Sequence, residues 1–169
     1  MNREGGRAWV LGDDVNTDML APGGYMKFGI EEIARHCLES VNPTFAADLR
    51  PGDVVVGGRN FGAGSSREQA PAALKHLGVA GVVAASFAGI FYRNALNLGL
   101  PLLVCPEAGS IASGDGLKLD FAAGRIENLT QGRTLSGQPI PPHLMAMLDD
   151  GGLIPHLEKR LRRERSTVT

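Results

Sequence analysis

The stretch Asn60-Phe61-Gly62-Ala63-Gly64-Ser65-Ser66-Arg67-Glu68 gathers residue types that bind an anion and react beside it. Gly62 and Gly64 let the backbone turn tightly and let a ligand approach peptide groups. Two serines follow, and Ser65 and Glu68 stand in capping-box spacing, which predicts a helix starting there. A helix N-terminus offers free N–H groups and partial positive charge. Arg67 adds a planar fork suited to a carboxylate or a phosphate. The plainer reading of the same spacing makes Ser65 a helix cap and leaves Arg67 in solvent. Pro71 requires either that the serine turn is separate from the helix proper or that the helix is kinked, because mid-helix it would clash with the Arg67 carbonyl. Nucleotide and hydrolase signatures do not fit. The phosphate-binding Gly-x4-Gly-Lys-Ser/Thr loop is absent, Arg67 stands where Gly-x-Gly-x-x-Gly needs its third glycine, and Gly-x-Ser-x-Gly also fails.

A second polar group, Asp13-Asp14-Val15-Asn16-Thr17-Asp18, has three carboxylates in six residues but lacks the glycine and distal glutamate of a calcium loop. By spacing it reads as a turn whose side chains bond backbone. Lys27 is either an anion contact or a surface residue. His36, His76, His143 and His156 show no ligand or triad spacing. Cys37 and Cys105 form no Cys-x-x-Cys pair and read as two reduced, partly buried thiols. Two cysteines are too few to hold zinc or an iron–sulfur cluster alone, so no metal site is expected in this chain.

These residues need elements to position them. Apolar runs predict strands at Arg7–Leu11, Asp53–Val56, Val79–Ala85 and Leu102–Cys105. Helical spacing runs through Ile30–Leu38, then from the glycine-rich loop to Leu77 and from Phe87 to Leu98, with Gly78 and Gly99 as stops. Strand–helix–strand–helix–strand with short connections implies parallel pairing. Leu117–Phe121 and Ile126–Leu129 read as a hairpin. A helix opens at Pro141-Pro142 and ends at Gly151-Gly152, and a last one starts near Ile154. One α/β domain is predicted over residues 1–169, with its core at about 7–157 and a basic tail at 158–169.

Composition narrows the function classes. The chain has 169 residues, and its 23 glycines and 10 prolines exceed the average share of roughly 12%. With 43% hydrophobic residues this excess goes into turns rather than disorder. Nine aromatics and a net charge of −1 give little for base stacking or for global attraction to nucleic acid. The N-terminus has no secretory apolar stretch and no run is long enough for a membrane helix, so a cytoplasmic protein without membrane or nucleic-acid partners is expected.

Taken together, Gly12–Asp18, Gly58–Glu68, Ser86-Phe87-Ala88 with Ile90–Asn94, Gly99-Leu100-Pro101, Ile126–Thr130 and Gly151–Pro155 resemble the small subunits of the 3-isopropylmalate dehydratase and homoaconitase family, the swivelling domain of the aconitase superfamily. The resemblance implies a three-layer swivelling β/β/α domain that closes over a large subunit carrying a 4Fe-4S cluster, as a heterodimer or heterotetramer. It implies reversible dehydration and rehydration of a small 2-hydroxy dicarboxylate, with interconversion of 2- and 3-isopropylmalate in leucine biosynthesis the narrow expectation. Homocitrate/homoaconitate, citramalate and dimethylmalate are the alternative substrates. By the same resemblance Ser65 abstracts the proton and Asp18 belongs to the catalytic network, while Ser66, Arg67, Gly64, Thr17 and Lys27 bind substrate. Lys27 lies in the segment that matches the family's specificity loop, where a cation suits an extra carboxylate and the adjacent Met26 keeps an apolar contact available.

Three positions depart from the family pattern, with Ala63 for cysteine, Gln69 for histidine and Gly89 for arginine. Gly89 removes a cation and is expected inside a helix, at a cost of about 1 kcal/mol relative to alanine. Two functions of other classes compete, a phosphate- or nucleotide-binding module built on the Gly62–Ser65 turn and nucleic-acid binding by the basic tail. Glutamates interrupt the tail's charge and no aromatic accompanies it, which favours a solvated helical end.

Overall fold

A computed structural model describes residues 2–168, and strand pairing within it joins seven strands into one mixed sheet. Strand β1 (Asn2–Val10) leads to helix α1 (Thr17–Leu20), a 3-10 turn (Gly23–Tyr25), and helices α2 (Ile30–Arg35) and α3 (Phe45–Asp48). Two strand–helix units follow, β2 (Val54–Gly57) with α4 (Gln69–His76) and β3 (Gly81–Ala84) with α5 (Gly89–Asn97), and β4 (Leu102–Val104) ends the series. The remainder is β5 (Gly116–Asp120), β6 (Arg125–Asn128), β7 (Arg133–Ser136), α6 (Pro142–Asp149) and α7 (Leu153–Thr167).

The sheet order is β4-β3-β2-β1-β5-β6-β7. β1 through β4 pair in parallel, and β5, β6 and β7 continue from β1 as an antiparallel arm. The valine runs explain the parallel half, because its strands are buried on both faces and so lack alternation. Val55, Val82 and Leu102 pack with Leu20, Ile33 and Phe45 from the helices. Their neighbours Val54, Val83 and Leu103 pack instead with Leu117, Ile126 and Leu135 from the arm. The arm therefore curls over one face while α1–α5 cover the other, which gives the expected three layers. After β7 the chain returns to the far edge, where the Gln138 N–H donates to the Val104 carbonyl at 2.8 Å. Asp53 staples the entry to β2 by accepting from the Arg7 N–H, the Trp9 Nε1–H and the Arg50 N–H.

Several expectations need correction. Helix α4 begins at Gln69, with Glu68 at its N-cap and no side-chain cap, so Ser65 does not cap it. The serine turn is thus separate from the helix, and Pro71 falls in the first turn, where a missing N–H costs little. Gly89 is the first residue of α5 rather than an interior one, and a Cβ there would meet nothing within 4 Å. The helix at Ile30 stops at Arg35, because Leu38 is left-handed (φ 60°) and its N–H turns to the Met19 carbonyl. α1, α3 and β7 carry too little periodicity to be anticipated. The basic tail is the exposed helix α7, where Arg160 pairs with Glu164 and Lys159 with Asp150. Among the described residues no helix is long and apolar enough to cross a membrane.

Candidate active site

Three loops that leave the carboxyl ends of β1, β2 and β3 meet side by side, the usual place for a ligand in a parallel sheet. Main-chain bonds lace the first two. The Asp14 N–H donates to the Arg59 carbonyl (2.9 Å), the Gly62 N–H to Val15 (2.7 Å) and the Thr17 N–H to Ala63 (2.8 Å). The third joins through Phe61, whose N–H donates to Ser86 and whose carbonyl accepts from Ala88. Asp14 and Asn60 are both left-handed, a conformation Asp and Asn tolerate better than most residues, and the Asn60 amide donates to the Asp14 carboxylate at 3.1 Å. Asp13 accepts from the Arg59 N–H, and Asn16 caps α1 by accepting from the Met19 N–H. The acidic segment is therefore a turn, as its spacing suggests, but it bonds mainly to a loop about 45 residues away.

The glycines of the second loop are required by space and by conformation. Gly62 has φ 82°, and a Cβ on it would lie 2.1 Å from Phe91 Cγ. Gly64 has φ 112°, and its Cβ would come within 2.9 Å of Thr17 Oγ1. Phe61, fully buried, packs edge-on against Phe87 and Phe91 and anchors the loop from below.

On this base Ser65 Oγ lies 3.3 Å from Thr17 Oγ1, its one side-chain partner among the described residues. Thr17 is buried, whereas Gly64, Ser65 and Ser66 are exposed. The Arg67 N–H donates to the Ser65 carbonyl at 2.8 Å and tightens the turn. The Arg67 side chain reaches across to α1, where Nη1 donates to Asp18 Oδ1 at 2.9 Å and to the Ala21 carbonyl at 3.1 Å. Its Nε and Nη2 make no hydrogen bond among the described residues, so half of the fork stays open to a ligand. The Gly23 N–H also donates to Asp18 Oδ1, at 3.1 Å. Ser65, Thr17, Arg67 and Asp18 thus converge from two loops, with Ser66 and Gly64 beside them. Lys27 is exposed over the Phe28 ring and makes no contact with this group. The sequence singles out neither the Asp14–Asn60 pair nor Ser86, whose Oγ accepts from the Asn60 N–H at 2.8 Å. Asn60 carries the one local signal, a residue that tolerates φ > 0 before a glycine-rich turn.

The Arg67 guanidinium and then the Gly23 N–H hold the Asp18 carboxyl below its ordinary value of 3.8. A depressed folded-state value means that the pair stabilises the two loops above the usual carboxylate range and loses that contribution as pH falls through the lowered value. NMR titration of the Asp18 carboxyl is expected to give a midpoint below 3.8, and Arg67→Gln is expected to move it back toward 3.8. An unshifted midpoint in the parent protein would remove the ion pair from the site.

A half-open guanidinium can hold a substrate carboxylate, and the exposed Ser65 hydroxyl two residues before it can take a proton once it has lost its own, but no side-chain base touches Ser65 among the described residues. Cys37 and Cys105 are free and buried in different cores, on opposite faces of the sheet, and burial pushes the Cys37 thiol up. Among the described residues no three His, Cys, Asp or Glu side chains are grouped to hold a metal ion.

Comparison with known proteins agrees with this architecture. The aconitase C-terminal domain family matches residues 46–107. A methanogen homoaconitase small subunit from Methanothermobacter thermautotrophicus is 47% identical over 92% of this chain and 91% of its own. A 3-isopropylmalate dehydratase small subunit from Moorella thermoacetica is 46% identical, covering 93% and 96%. A crystal structure of 3-isopropylmalate dehydratase from Methanocaldococcus jannaschii superposes with a TM-score of 0.93 at 38% identity, over 99% of each chain.

Proposed function

The chain belongs to the family of the 3-isopropylmalate dehydratase and homoaconitase small subunits, and from that membership we propose that it is the small subunit of a hydro-lyase, acting as one unit in the cytoplasm. The reaction is interconversion of 2- and 3-isopropylmalate by dehydration and rehydration, a step of leucine biosynthesis. The observation that carries this reading is the convergence of the exposed Ser65 hydroxyl with Arg67, which is clipped to Asp18, on an open surface. Ser65, as its alkoxide, takes the proton from the carbon next to a substrate carboxylate and becomes the hydroxyl again, while the hydroxyl on the adjacent carbon leaves as water with a proton supplied from outside this chain. Thr17 aims its hydroxyl, and Arg67, Ser66 and the Gly64 backbone hold the carboxylate whose charge grows as the proton leaves. A serine hydroxyl is a weak base, so its alkoxide needs such donors around it, and this chain supplies only part of the set.

The remainder belongs to a large subunit, the partner that the small-subunit names of the relatives imply. We assign the 4Fe-4S cluster to that partner. Two buried thiols on opposite faces of a sheet do not fit a four-cysteine cluster, nor do they leave room for one with three protein ligands. A second reading, a homocitrate-class substrate with an additional carboxylate, rests on Lys27, an exposed cation that makes no contact with the Ser65–Arg67 group but lies in the turn whose first N–H, from Gly23, bonds Asp18.

Both readings are tested by co-expression with a cluster-bearing large subunit and assay of isopropylmalate, homoaconitate, citramalate and dimethylmalate. The chain alone is expected to be inactive and the pair to turn over isopropylmalate best. Preference for homoaconitate selects the second reading, and a pair inactive on all four substrates overturns both.

A further inference from the structure

The turn from Gly23 to Phe28 is tied at both ends. At its start the Gly23 N–H donates to Asp18, and a Cβ on Gly23 would sit 3.8 Å from Arg67 Nη2, so this end touches the ion pair itself. Inside the turn Tyr25 donates its N–H to Pro22 and accepts from the Phe28 N–H. The Tyr25 ring lies flat on the His36 ring, with centroids 3.6 Å apart and planes 4° from parallel.

His36 is held with unusual completeness. Nδ1 lies 2.6 Å from Glu39 Oε2 and Nε2 lies 3.2 Å from Glu32 Oε1, so a carboxylate stands at each edge of the ring. The other Glu32 oxygen pairs with Arg35 at 3.4 Å. With both nitrogens engaged, rotation of the imidazole would break two hydrogen bonds at once, so its face is a fixed platform. The Glu39 bond first, and Glu32 after it, favour the protonated ring against the opposing effect of burial. A cationic ring stacked on a phenol ring gains electrostatic attraction beyond contact area. Tyr25 is thus the joint between a rigid platform at the C-terminal end of α2 and the turn whose first N–H fixes Asp18.

We propose that His36 is a positioning residue for the substrate-binding edge. Stacked on Tyr25 between Glu32 and Glu39, it fixes the Gly23–Phe28 turn and through Gly23 holds Asp18 and Arg67 in place. The proposal rests on the reading of Arg67 as a substrate carboxylate ligand. It differs from simple packing in requiring the platform to act on substrate binding rather than on the proton-transfer step.

The test uses the reconstituted two-subunit complex with His36→Leu and Tyr25→Phe, and with His36→Gln should the leucine variant fail to fold. His36→Leu is expected to raise KM for the diacid substrate by about tenfold with kcat within about twofold, the split expected when binding alone is lost. Hydrogen exchange of the amides of residues 23–28 is expected to quicken in the same variant. Tyr25→Phe keeps the ring face but loses the hydroxyl's hydrogen bond to Glu39, and is expected to fall between the parent and His36→Leu in both readouts. An unchanged KM in an active complex overturns the proposal, as does unchanged exchange at residues 23–28. A parent complex with no hydro-lyase activity overturns the functional reading instead, and exchange then decides the platform by itself.

Discussion

Replacing Ser65 with alanine in the two-subunit complex is expected to lower kcat by about a thousandfold, the middle of the range for removing a general acid–base group. KM is expected to change little, because the carboxylate contacts of Arg67 survive. The structure makes this a clean experiment. Ser65 is exposed, it does not cap α4, and its single side-chain partner among the described residues is Thr17 at 3.3 Å. Thr17 gains no buried unsatisfied group from the change, since water can take the place of the lost hydroxyl at an exposed position. The melting temperature of the chain is therefore expected to stay put while turnover collapses. Near-normal turnover in Ser65→Ala would show that the proton leaves to another group and would take the catalytic assignment away from this loop.

Gly62→Ala is expected to destabilise the chain by about 3–5 kcal/mol, through two mechanisms that add. The residue sits at φ 82°, where a side chain strains the backbone, and its new Cβ would overlap Phe91 at 2.1 Å from Cγ. Phe91 cannot step aside, because it is buried against Phe61. The loop cannot step aside either without breaking the 2.7 Å bond from the Gly62 N–H to Val15. Urea denaturation measures the loss, and Gly89→Ala serves as the control. Gly89 opens α5, and a Cβ there meets nothing within 4 Å, so alanine is expected to be neutral or slightly stabilising. A Gly62→Ala protein within 1 kcal/mol of the parent, a surface-like effect, would mean that the loop relaxes more easily than its contacts suggest.

Local chemistry and local periodicity were legible in the sequence, whereas the contacts that make the site were not. Valine runs announce the parallel strands, since burial on both faces leaves no other composition. The glycines and Ser65-Ser66-Arg67 announce an anion-binding turn. The same local reasoning misplaces the start of α4, because capping-box spacing holds whether or not a helix follows, and here the Arg67 N–H bonds the Ser65 carbonyl instead. Thr17 and Ser65 are 48 residues apart and Asp18 and Arg67 are 49 apart, so nothing in either segment alone reveals the other. Resemblance to a family implies roles for these four residues, and only the folded loops bring Thr17 to Ser65 and Asp18 to Arg67. Lys27 stays apart from the group, over the Phe28 ring. β7 is silent in the sequence for a simpler reason, since only Leu135 of its four residues is buried and a single apolar position has no period.

The return of the chain to the edge of β4, through the Gln138 N–H and the Val104 carbonyl, has a mechanical meaning. It links the segment just after the last strand of the arm to the last strand of the parallel half, so the two edges of the sheet brace one another. The three site loops hang from neighbouring strands of that braced frame and are stitched to one another by main-chain bonds. Pushing on one of them loads the other two. Such a frame lets the three loops shift only together, so Ser65 and Arg67 keep their mutual alignment.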